Sequence, residues 1–325
     1  MALYAIADNP IPPGAVEHEL TALDGVRLRA ARWTPERPRA TVVLLGGRAE
    51  CIEKYYETIG DLIARGLAVA TLDWRGQGGS ERQLRDPAKG HVDDFGLYER
   101  DFLSFHRDVL APHCPRPWIG LCHSMGGAIM LRIAHAGRCP LDRLVLTSPM
   151  IALFGHAEPR YLRWLVEALD GVGLGGLYAP GGGRGPYSLS PFDGNVLTSD
   201  PARYARFGAM LSAYPALGLG GPTIGWLHAA LRLMRAFAEP DYPRAIATPT
   251  LVIASGADRV VDTPSLERFA TRLRAGHLIV IDGARHEVMF ERDTFRQLFF
   301  KAFDAFAPGL ETAPPAFTPP LRAAT

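Results

Sequence analysis

The stretch Cys122-His123-Ser124-Met125-Gly126-Gly127 joins an apolar run, Trp118 to Leu121, to an amphipathic stretch, Ala128 to His135. This pattern predicts a strand, a sharp turn and a helix, with Ser124 in the turn. A serine in such a turn takes a positive φ angle, which raises its hydroxyl above the sheet edge and leaves room only for small neighbours. The two glycines meet that requirement, and Cys122 stands where the G-x-S-x-G pattern has its first glycine.

The simplest alternative is that Ser124 only caps the following helix, as serines often do. A carboxylate and a histidine that follow the serine in chain order favour a chemical role instead. Asp258 follows the apolar run Thr250 to Ala254, and His286 follows the run His277 to Ile281. Because the carboxyl ends of parallel strands meet at one edge of a sheet, we expect these three side chains to lie together.

These residue types predict nucleophilic catalysis. A serine hydroxyl is a weak nucleophile at neutral pH, so His286 is expected to take its proton while Asp258 orients and stabilises the imidazole ring. The oxyanion formed by attack needs backbone N–H donors, one from the residue after the serine and one from a loop after an early strand. Met125 is the first expected donor. Arg48, in the glycine-rich turn after an apolar strand, is the second.

Other residues compete for these roles. Asp262 is a second candidate acid, but the Thr263-Pro264 pair after it is typical of a helix start that Asp262 or Thr263 caps. His277 is a second candidate base, and it begins a predicted strand, which places it at the opposite sheet edge. His123 is expected to be structural, because adjacent side chains in a turn point apart.

Three motifs resemble those of the α/β-hydrolases in the bacterial lysophospholipase and monoacylglycerol lipase family. They are Gly47-Arg48-x-Glu50 with Lys54-Tyr55, Asp73-x-Arg75-Gly76-x-Gly78-x-Ser80, and His123-Ser124-Met125-Gly126-Gly127. Two departures occur. Gly46 stands where the H-G form of the first motif has histidine. Cys122 stands where the third motif usually begins with glycine, and this cysteine is expected to alter the reactivity of the protein toward thiol reagents. The Asp73 turn has no phosphate-loop or dinucleotide spacing, so we expect Asp73 and Arg75 to pair or cap within it.

Further matches are similar to the lysophospholipase branch in particular. They are Gly90-His91-Val92 with Phe95, Asn195-x-Leu197-Thr198 leading into Arg203-Tyr204, Gly220-Gly221-Pro222-Thr223 with Trp226, and Arg285-His286-Glu287 with Phe290-Glu291. The resemblance implies a serine hydrolase that cleaves the carboxylic ester of a single-chain lipid, a lysophospholipid or a monoacylglycerol, through an acyl-enzyme on Ser124. The alternatives are a short-chain carboxylesterase or thioesterase, and a non-catalytic binding protein of the same fold.

The resemblance and the alternation of strands with helices predict an α/β-hydrolase fold: a mostly parallel central sheet, helices on both faces and an inserted helical cap. Residues 17–149 and 245–307 are expected to form the core, which begins with a hairpin that turns at Asp24-Gly25. Residues 150–244, with helical runs at Arg160 to Leu169 and Trp226 to Phe237, are expected to form the cap. Residues 1–16 are interpreted as a dispensable extension, and residues 308–325 as a disordered tail.

Composition limits the partners. The 325 residues are 47% hydrophobic and 21% charged, with a net charge of +1, which gives no basic stripe for nucleic acid. The four scattered cysteines, without C-x-x-C spacing, predict reduced thiols in the cytoplasm and no metal site, and no motif requires a cofactor. An amphipathic cap is compatible with peripheral contact at the inner face of the membrane. Arg48, Arg82, Arg85 and Arg184 are either surface arginines or partners of a lipid phosphate.

Overall fold

The computed structural model describes residues 1–155 and 160–307, and one eight-stranded sheet runs through them. The strands are β1 (Ala15–Thr21), β2 (Arg27–Trp33), β3 (Thr41–Leu45), β4 (Ala68–Leu72), β5 (Trp118–His123), β6 (Arg143–Thr147), β7 (Thr250–Ser255) and β8 (Gly276–Ile281). Their spatial order is β1-β2-β4-β3-β5-β6-β7-β8. Strand β2 pairs antiparallel with both β1 and β4, and the other pairs are parallel. The predicted mostly parallel sheet is confirmed.

Nine helices accompany these strands in the described ranges. They are α1 (Tyr56–Ala64), α2 (Gly96–Phe105), α3 (Ala111–His113), α4 (Met125–His135), α5 (Arg160–Leu169), α6 (Pro201–Ala213), α7 (Ile224–Ala238), α8 (Thr263–Ala270) and α9 (Asp293–Phe306). Along β3, Val43 and Leu45 join one buried cluster with α2, α4 and α8, while Val42 and Leu44 join the other with α1 and α9. This alternation follows from the two-residue period of a strand, and it places helices on both faces.

The central strands are apolar because both of their faces are covered. Strands β3, β4, β5 and β7 are buried at every position. Strand β8 lies at the edge of the sheet, and Ile279 and Val280 are therefore about two-fifths exposed, at 40% and 41%. The first hairpin turns as predicted, with Gly25 at φ 84° and the Gly25 amide donating to the Ala22 carbonyl at 2.9 Å.

The polypeptide leaves the sheet after β6 and returns at β7. In the described part of this insertion the sheet gains no strand, and three helices, α5, α6 and α7, occur instead. The helical runs predicted near α5 and α7 are present. Helix α6 was not predicted, although Asp200-Pro201 is a start signal: the Asp200 carboxylate accepts hydrogen bonds from the Ala202 and Arg203 amides.

The N-terminal segment differs from the dispensable extension expected for residues 1–16. Strand β1 begins within that range, and Leu3 is buried. The Tyr4 amide donates to Glu53 Oε1 at 3.2 Å, the Asn9 side chain donates to the Glu53 carbonyl at 2.8 Å, and Arg29 donates to the Ala2 carbonyl at 2.9 Å. The segment therefore covers a buried ion pair and belongs to the core. The tail predicted for residues 308–325 lies outside the described residues.

Candidate active site

Ser124 occupies the turn between β5 and α4 with φ 48° and ψ −113°, as the sequence predicted. The Ser124 amide donates to the Thr147 carbonyl at 3.0 Å, which ties the turn to β6. A Cβ atom on Gly126 would lie 2.5 Å from the Leu45 carbonyl oxygen, so only glycine fits there. Cys122 is fully buried, and burial raises the pKa of its thiol well above the ordinary value, so this cysteine is a poor target for thiol reagents.

The structure brings together the three side chains that the chain order singled out. Ser124 Oγ lies 3.1 Å from His286 Nε2, and His286 Nδ1 lies 2.8 Å from Asp258 Oδ2. All three residues are buried, with exposed fractions of 8%, 4% and 5%. The other oxygen of Asp258 accepts the Val260 and Val261 amides at 2.7 and 2.9 Å, so the carboxylate is fixed by its own loop.

The pKa values of the pair are pushed apart. Burial acts to lower the pKa of His286, but the charge and the hydrogen bond of Asp258 outweigh it, so the pKa is raised. Burial acts to raise the pKa of Asp258, and the attraction of His286 together with the hydrogen bonds that it accepts leaves the pKa lowered. An ionised carboxylate beside a basic imidazole suits proton abstraction from the serine.

The competing residues have other partners. Asp262 caps α8, since its carboxylate accepts the Ser265 amide at 2.9 Å. His277 lies within β8, where its ring packs edge-on against Phe306. His123 Nδ1 lies 3.1 Å from the Thr147 hydroxyl, and burial lowers the pKa of this ring to about 4. The centroid of the His123 ring lies 4.8 Å from that of the His286 ring, so a neutral His123 packs against His286.

The loop after β3 approaches the serine closely. A Cβ atom on Gly47 would lie 3.2 Å from Ser124 Cβ, and Ala49 has a φ angle of 61°. Gln77 clamps the loop, because it donates to the Gly47 carbonyl at 2.8 Å and accepts from the Ala49 amide at 3.2 Å. Within the described residues, neither the Arg48 amide nor the Met125 amide donates to a protein acceptor. These are the two donors expected for an oxyanion.

A buried ion network behind the loop was not predicted as part of the site. Glu50 Oε2 accepts the Gly47 amide and, at 2.5 Å, the Tyr55 hydroxyl. Lys54 Nζ lies 2.8 Å from Glu50 Oε1 and 2.6 Å from Glu287 Oε1. Burial acts to raise the pKa of Glu50, but Lys54 outweighs it and the pKa is lowered. Only part of this network has a local signal in the sequence: Glu50, Lys54 and Tyr55 lie within six residues, whereas Glu287 is 233 positions from Lys54.

This network contains a set of groups suited to a metal ion. Ligand atoms of Glu50, His123 and Glu287 lie within 4.8 Å of one another. The ammonium of Lys54 binds both carboxylates, so a cation of the protein itself already occupies the position between them. The arrangement is an internal ion pair that connects the loop after β3 to the residue following His286.

The pairing expected between Asp73 and Arg75 is wrong in part. Asp73 does cap its own loop, accepting the Gly79 amide at 2.7 Å, but its charged partner is Arg29. Arg75 pairs with Asp24 and Asp101 instead. Each of the two side chains therefore pairs with a partner distant in sequence and not with the other.

A cavity of about 310 Å³ opens over Ser124 and His286. The core contributes polar groups to its wall, and the insertion contributes mainly apolar ones. The insertion residues are Met150, Leu153, Pro186, Tyr187, Ser188, Leu197, Leu219, Pro222, Trp226 and Leu227. A largely apolar chamber with a few polar groups at one end is typical of a site for an amphipathic small molecule.

The four arginines considered for a phosphate differ in their surroundings. Arg48 lines the cavity, and is not a solvated surface residue. Arg82 donates to three backbone carbonyls, and Arg184 is exposed and pairs with Asp86. Arg85 is exposed. Only Arg48 among these four lies in the wall of the cavity over Ser124.

Comparison with known proteins agrees with the architecture. The chain is similar to lysophospholipase L2 of Escherichia coli (strain K12), with 35% identity over 89% of this chain and 86% of that protein. It is 29% identical to a monoacylglycerol lipase of Mycolicibacterium smegmatis, over 85% of this chain and 91% of the relative. The crystal structure of a soluble variant of monoglyceride lipase from Saccharomyces cerevisiae superposes with a TM-score of 0.72 at 20% identity, covering 94% of this chain and 98% of that one.

A parallel sheet with a serine at a strand-to-helix turn and a histidine–aspartate pair beside it defines the α/β-hydrolase class. Residues 36–293 match the family described as serine aminopeptidase, S33. The chain belongs to this family.

Proposed function

We propose that this protein is a serine ester hydrolase that releases the fatty acid of a single-chain lipid, with a lysophospholipid as the preferred substrate. The observation that carries the proposal is the hydrogen-bonded series Ser124, His286 and Asp258 at the floor of a largely apolar cavity. Relatives named lysophospholipase and monoacylglycerol lipase support the lipid ester as substrate.

In the proposed reaction, His286 Nε2 takes the hydroxyl proton as Ser124 Oγ attacks the ester carbonyl carbon. The tetrahedral oxyanion accepts hydrogen bonds from the amides of Arg48 and Met125. When the C–O bond breaks, the imidazolium returns the proton to the leaving glycerol oxygen and the acyl group stays on Ser124. Water, deprotonated by the same His286, then attacks the acyl carbonyl carbon. The bond to Ser124 Oγ breaks, the imidazolium returns the proton to that oxygen, and the fatty acid leaves. Asp258 stabilises the imidazolium in both halves.

The insertion, residues 150–244, is proposed to act as a cap that roofs the reacting ester. Its apolar wall residues suit an acyl chain, because burying methylene groups there is favourable by about 0.8 kcal/mol each. The core side of the cavity, with the amide donors and Arg48, suits the polar end of the lipid. A single-chain lipid presents one apolar tail and one polar head to these two halves.

The test is fatty-acid release from lysophosphatidylcholine and from monoacylglycerol carrying the same palmitoyl chain, with wild type and Ser124→Ala in parallel. We expect release from both, faster from the lysophospholipid, and a loss of about 10⁶-fold in the variant. Faster cleavage of monoacylglycerol would reject the head-group preference. Cleavage of short esters alone would make the protein a short-chain esterase. Failure of a fluorophosphonate to label Ser124 would leave a non-catalytic binding protein.

The location of the protein is part of the proposal. We propose that it works in the cytoplasm, where its four free cysteines stay reduced, and that the cap touches the inner face of the membrane. Trp164 and Val172, in and just after α5, are 71% and 72% exposed, which is unusual for large apolar side chains. Among the helices of the described residues, none combines the length and apolar character needed to cross a bilayer.

A further inference from the structure

Arg48 carries a positive charge that has no carboxylate partner among the described residues. Its Nη2 donates to the Gly220 carbonyl at 2.6 Å, and its Nε is buried without a hydrogen-bond partner. In residues 1–155 and 160–307 no carboxylate forms an ion pair with it. Burial lowers the pKa of this guanidinium to about 10, which still leaves it charged at neutral pH. A buried charge without a counter-charge is costly, so an anion bound beside it would be strongly stabilised.

Arg29 and Arg75, which are 1% and 2% exposed, are both neutralised. Arg29 lies against Glu53 and Asp73, and Arg75 lies against Asp24 and Asp101. At these two positions the fold supplies two carboxylates for each guanidinium. At Arg48 it supplies a carbonyl and an aromatic face, and leaves the charge available to the cavity.

The surroundings of Arg48 are shaped to hold a guanidinium. Its Cζ lies 5.3 Å from the centroid of the Trp226 ring, which is a cation–π contact. A Cβ atom on Gly90 would lie 2.5 Å from Arg48 Nη2, so an alanine there would force the guanidinium to shift. Gly90 and Pro222 form a β-bridge, which fixes both sides of this cradle to each other. The segments around Gly90, Gly220 and Trp226 therefore all contact the Arg48 guanidinium and hold it in place.

We propose that the Arg48 guanidinium binds the phosphate of the lysophospholipid head group and makes the enzyme favour phosphate-bearing single-chain esters over uncharged ones. This inference rests on the proposed function and names the residue that would set its head-group preference. Arg48 lines the same cavity as Ser124 and His286, so one ligand can touch all three. Arginine suits this role because its planar set of N–H groups matches two phosphate oxygens at once.

Arg48 would contact the substrate through both its backbone amide and its side chain. The Arg48 amide is the proposed oxyanion donor, so the root of the side chain lies beside the reacting carbonyl. The guanidinium lies one side-chain length farther on. In a lysophospholipid the glycerol carbons separate the ester from the phosphate by a similar span. The amide of Arg48 would therefore contact the ester end of the glycerol unit, and its guanidinium would contact the phosphate end.

The experiment compares kcat/KM for palmitoyl lysophosphatidylcholine with that for monopalmitoylglycerol in matched detergent micelles. We expect Arg48→Met to lower the ratio of the two values by about 10- to 100-fold, the range of a charge-assisted hydrogen bond. Arg48→Lys, which keeps a point charge, should lower it less. We use the ratio because a disturbed oxyanion donor at Arg48 would lower both kcat/KM values by the same factor. Such an effect cancels in the ratio.

Arg82→Met is the matched control. Arg82 also lacks a carboxylate partner in the described residues, donates only to backbone carbonyls and does not line the cavity over Ser124. Its removal changes the net charge by the same amount, and the ratio is expected to stay at the wild-type value. Equal loss on both substrates in Arg48→Met, or an equal fall of the ratio in Arg82→Met, would overturn the proposal.

A binding measurement separates this inference from the proposed function. Hexadecyl ether lysophosphatidylcholine and hexadecylglycerol have no ester, so their affinities do not depend on turnover. We expect wild type to bind the phosphate-bearing ether more tightly, and Arg48→Lys and Gly90→Ala to narrow that difference even if Arg48→Met fails to fold. Equal affinity of wild type for the two ethers would refute phosphate binding. Tight binding without hydrolysis would refute only the proposed reaction.

Discussion

The pKa of His286 is raised chiefly by Asp258, and the charges of Glu287 and Glu50 add to this effect. The Asp258 carboxylate raises the pKa of the imidazole above the ordinary value of 6.5, against the opposing effect of burial. Since the neutral ring is the base, activity is lost as the pH falls through the raised pKa. We therefore expect the acidic limb of kcat/KM for a soluble short-chain ester to have its midpoint above pH 6.5.

Replacement of Asp258 tests whether this carboxylate raises the pKa of His286. In Asp258→Asn, burial remains and the raising charge is gone, so the midpoint should fall below that of wild type while kcat drops by about 10⁴-fold. A wild-type midpoint at or below 6.5, or an unchanged midpoint in the variant, would contradict the pairing of these two side chains.

Lys54 holds two buried carboxylates that would otherwise repel each other. In Lys54→Met, Glu50 and Glu287 are left without their cation, and we expect a loss of about 3–5 kcal/mol in the free energy of unfolding by urea at pH 7. The loss should shrink as the pH is lowered, because protonation removes the stranded charges. Glu287→Gln is the control: it leaves a one-to-one pair of Glu50 with Lys54 and should cost less. A loss below 1 kcal/mol in Lys54→Met would show that the network contributes little.

At the scale of elements, the segment before β1 covers a buried ion pair and excludes water from it. Arg29 binds Glu53 and Asp73, and residues 2–9 cover this group with backbone and side-chain hydrogen bonds. Deletion of residues 1–9 removes the buried Leu3 and leaves Glu53 with fewer donors. We expect the free energy of unfolding to fall by about 3 kcal/mol or more, measured by urea titration.

A point variant tests one contact of this segment without shortening the chain. Asn9→Ala removes only the hydrogen bond to the Glu53 carbonyl and should cost about 1–3 kcal/mol. Asp8→Ala, at an exposed neighbour, should cost almost nothing. If the deletion leaves the urea midpoint unchanged, the segment is dispensable after all.

At the scale of the whole molecule, the proposed membrane contact can be tested at Trp164 and Val172, the two most exposed large apolar side chains of the described insertion. For Trp164→Glu combined with Val172→Glu, we expect at least about a tenfold loss of binding to vesicles of phosphatidylcholine and phosphatidylglycerol, since each burial is worth about 1.5–3 kcal/mol. Vesicle cosedimentation measures it, and hydrolysis of a soluble ester reports on the site itself. Leu298→Glu, on α9 with 48% exposure, is the control. Equal binding by all three proteins would argue against membrane contact through the cap.

The sequence by itself determined the sheet, the turn at Ser124 and the identity of its two partners. These features depend on local pattern: apolar runs mark buried strands, and small residues mark the turn. Strand ends were predicted to within about two residues, since hydrogen bonding at the ends depends on neighbouring strands. Helix α6 was missed because surrounding glycines and prolines hid a short start signal at Asp200-Pro201.

The tertiary structure alone decided which charged groups meet. Lys54 and Glu287 are 233 positions apart, and Arg29 meets Asp73 because β2 and β4 pair in one register. No local pattern encodes such pairs, because any of the many carboxylates in the chain is an equivalent partner until the topology brings one close. The same holds for Arg48, whose missing counter-charge is a property of its burial and not of its neighbours in sequence.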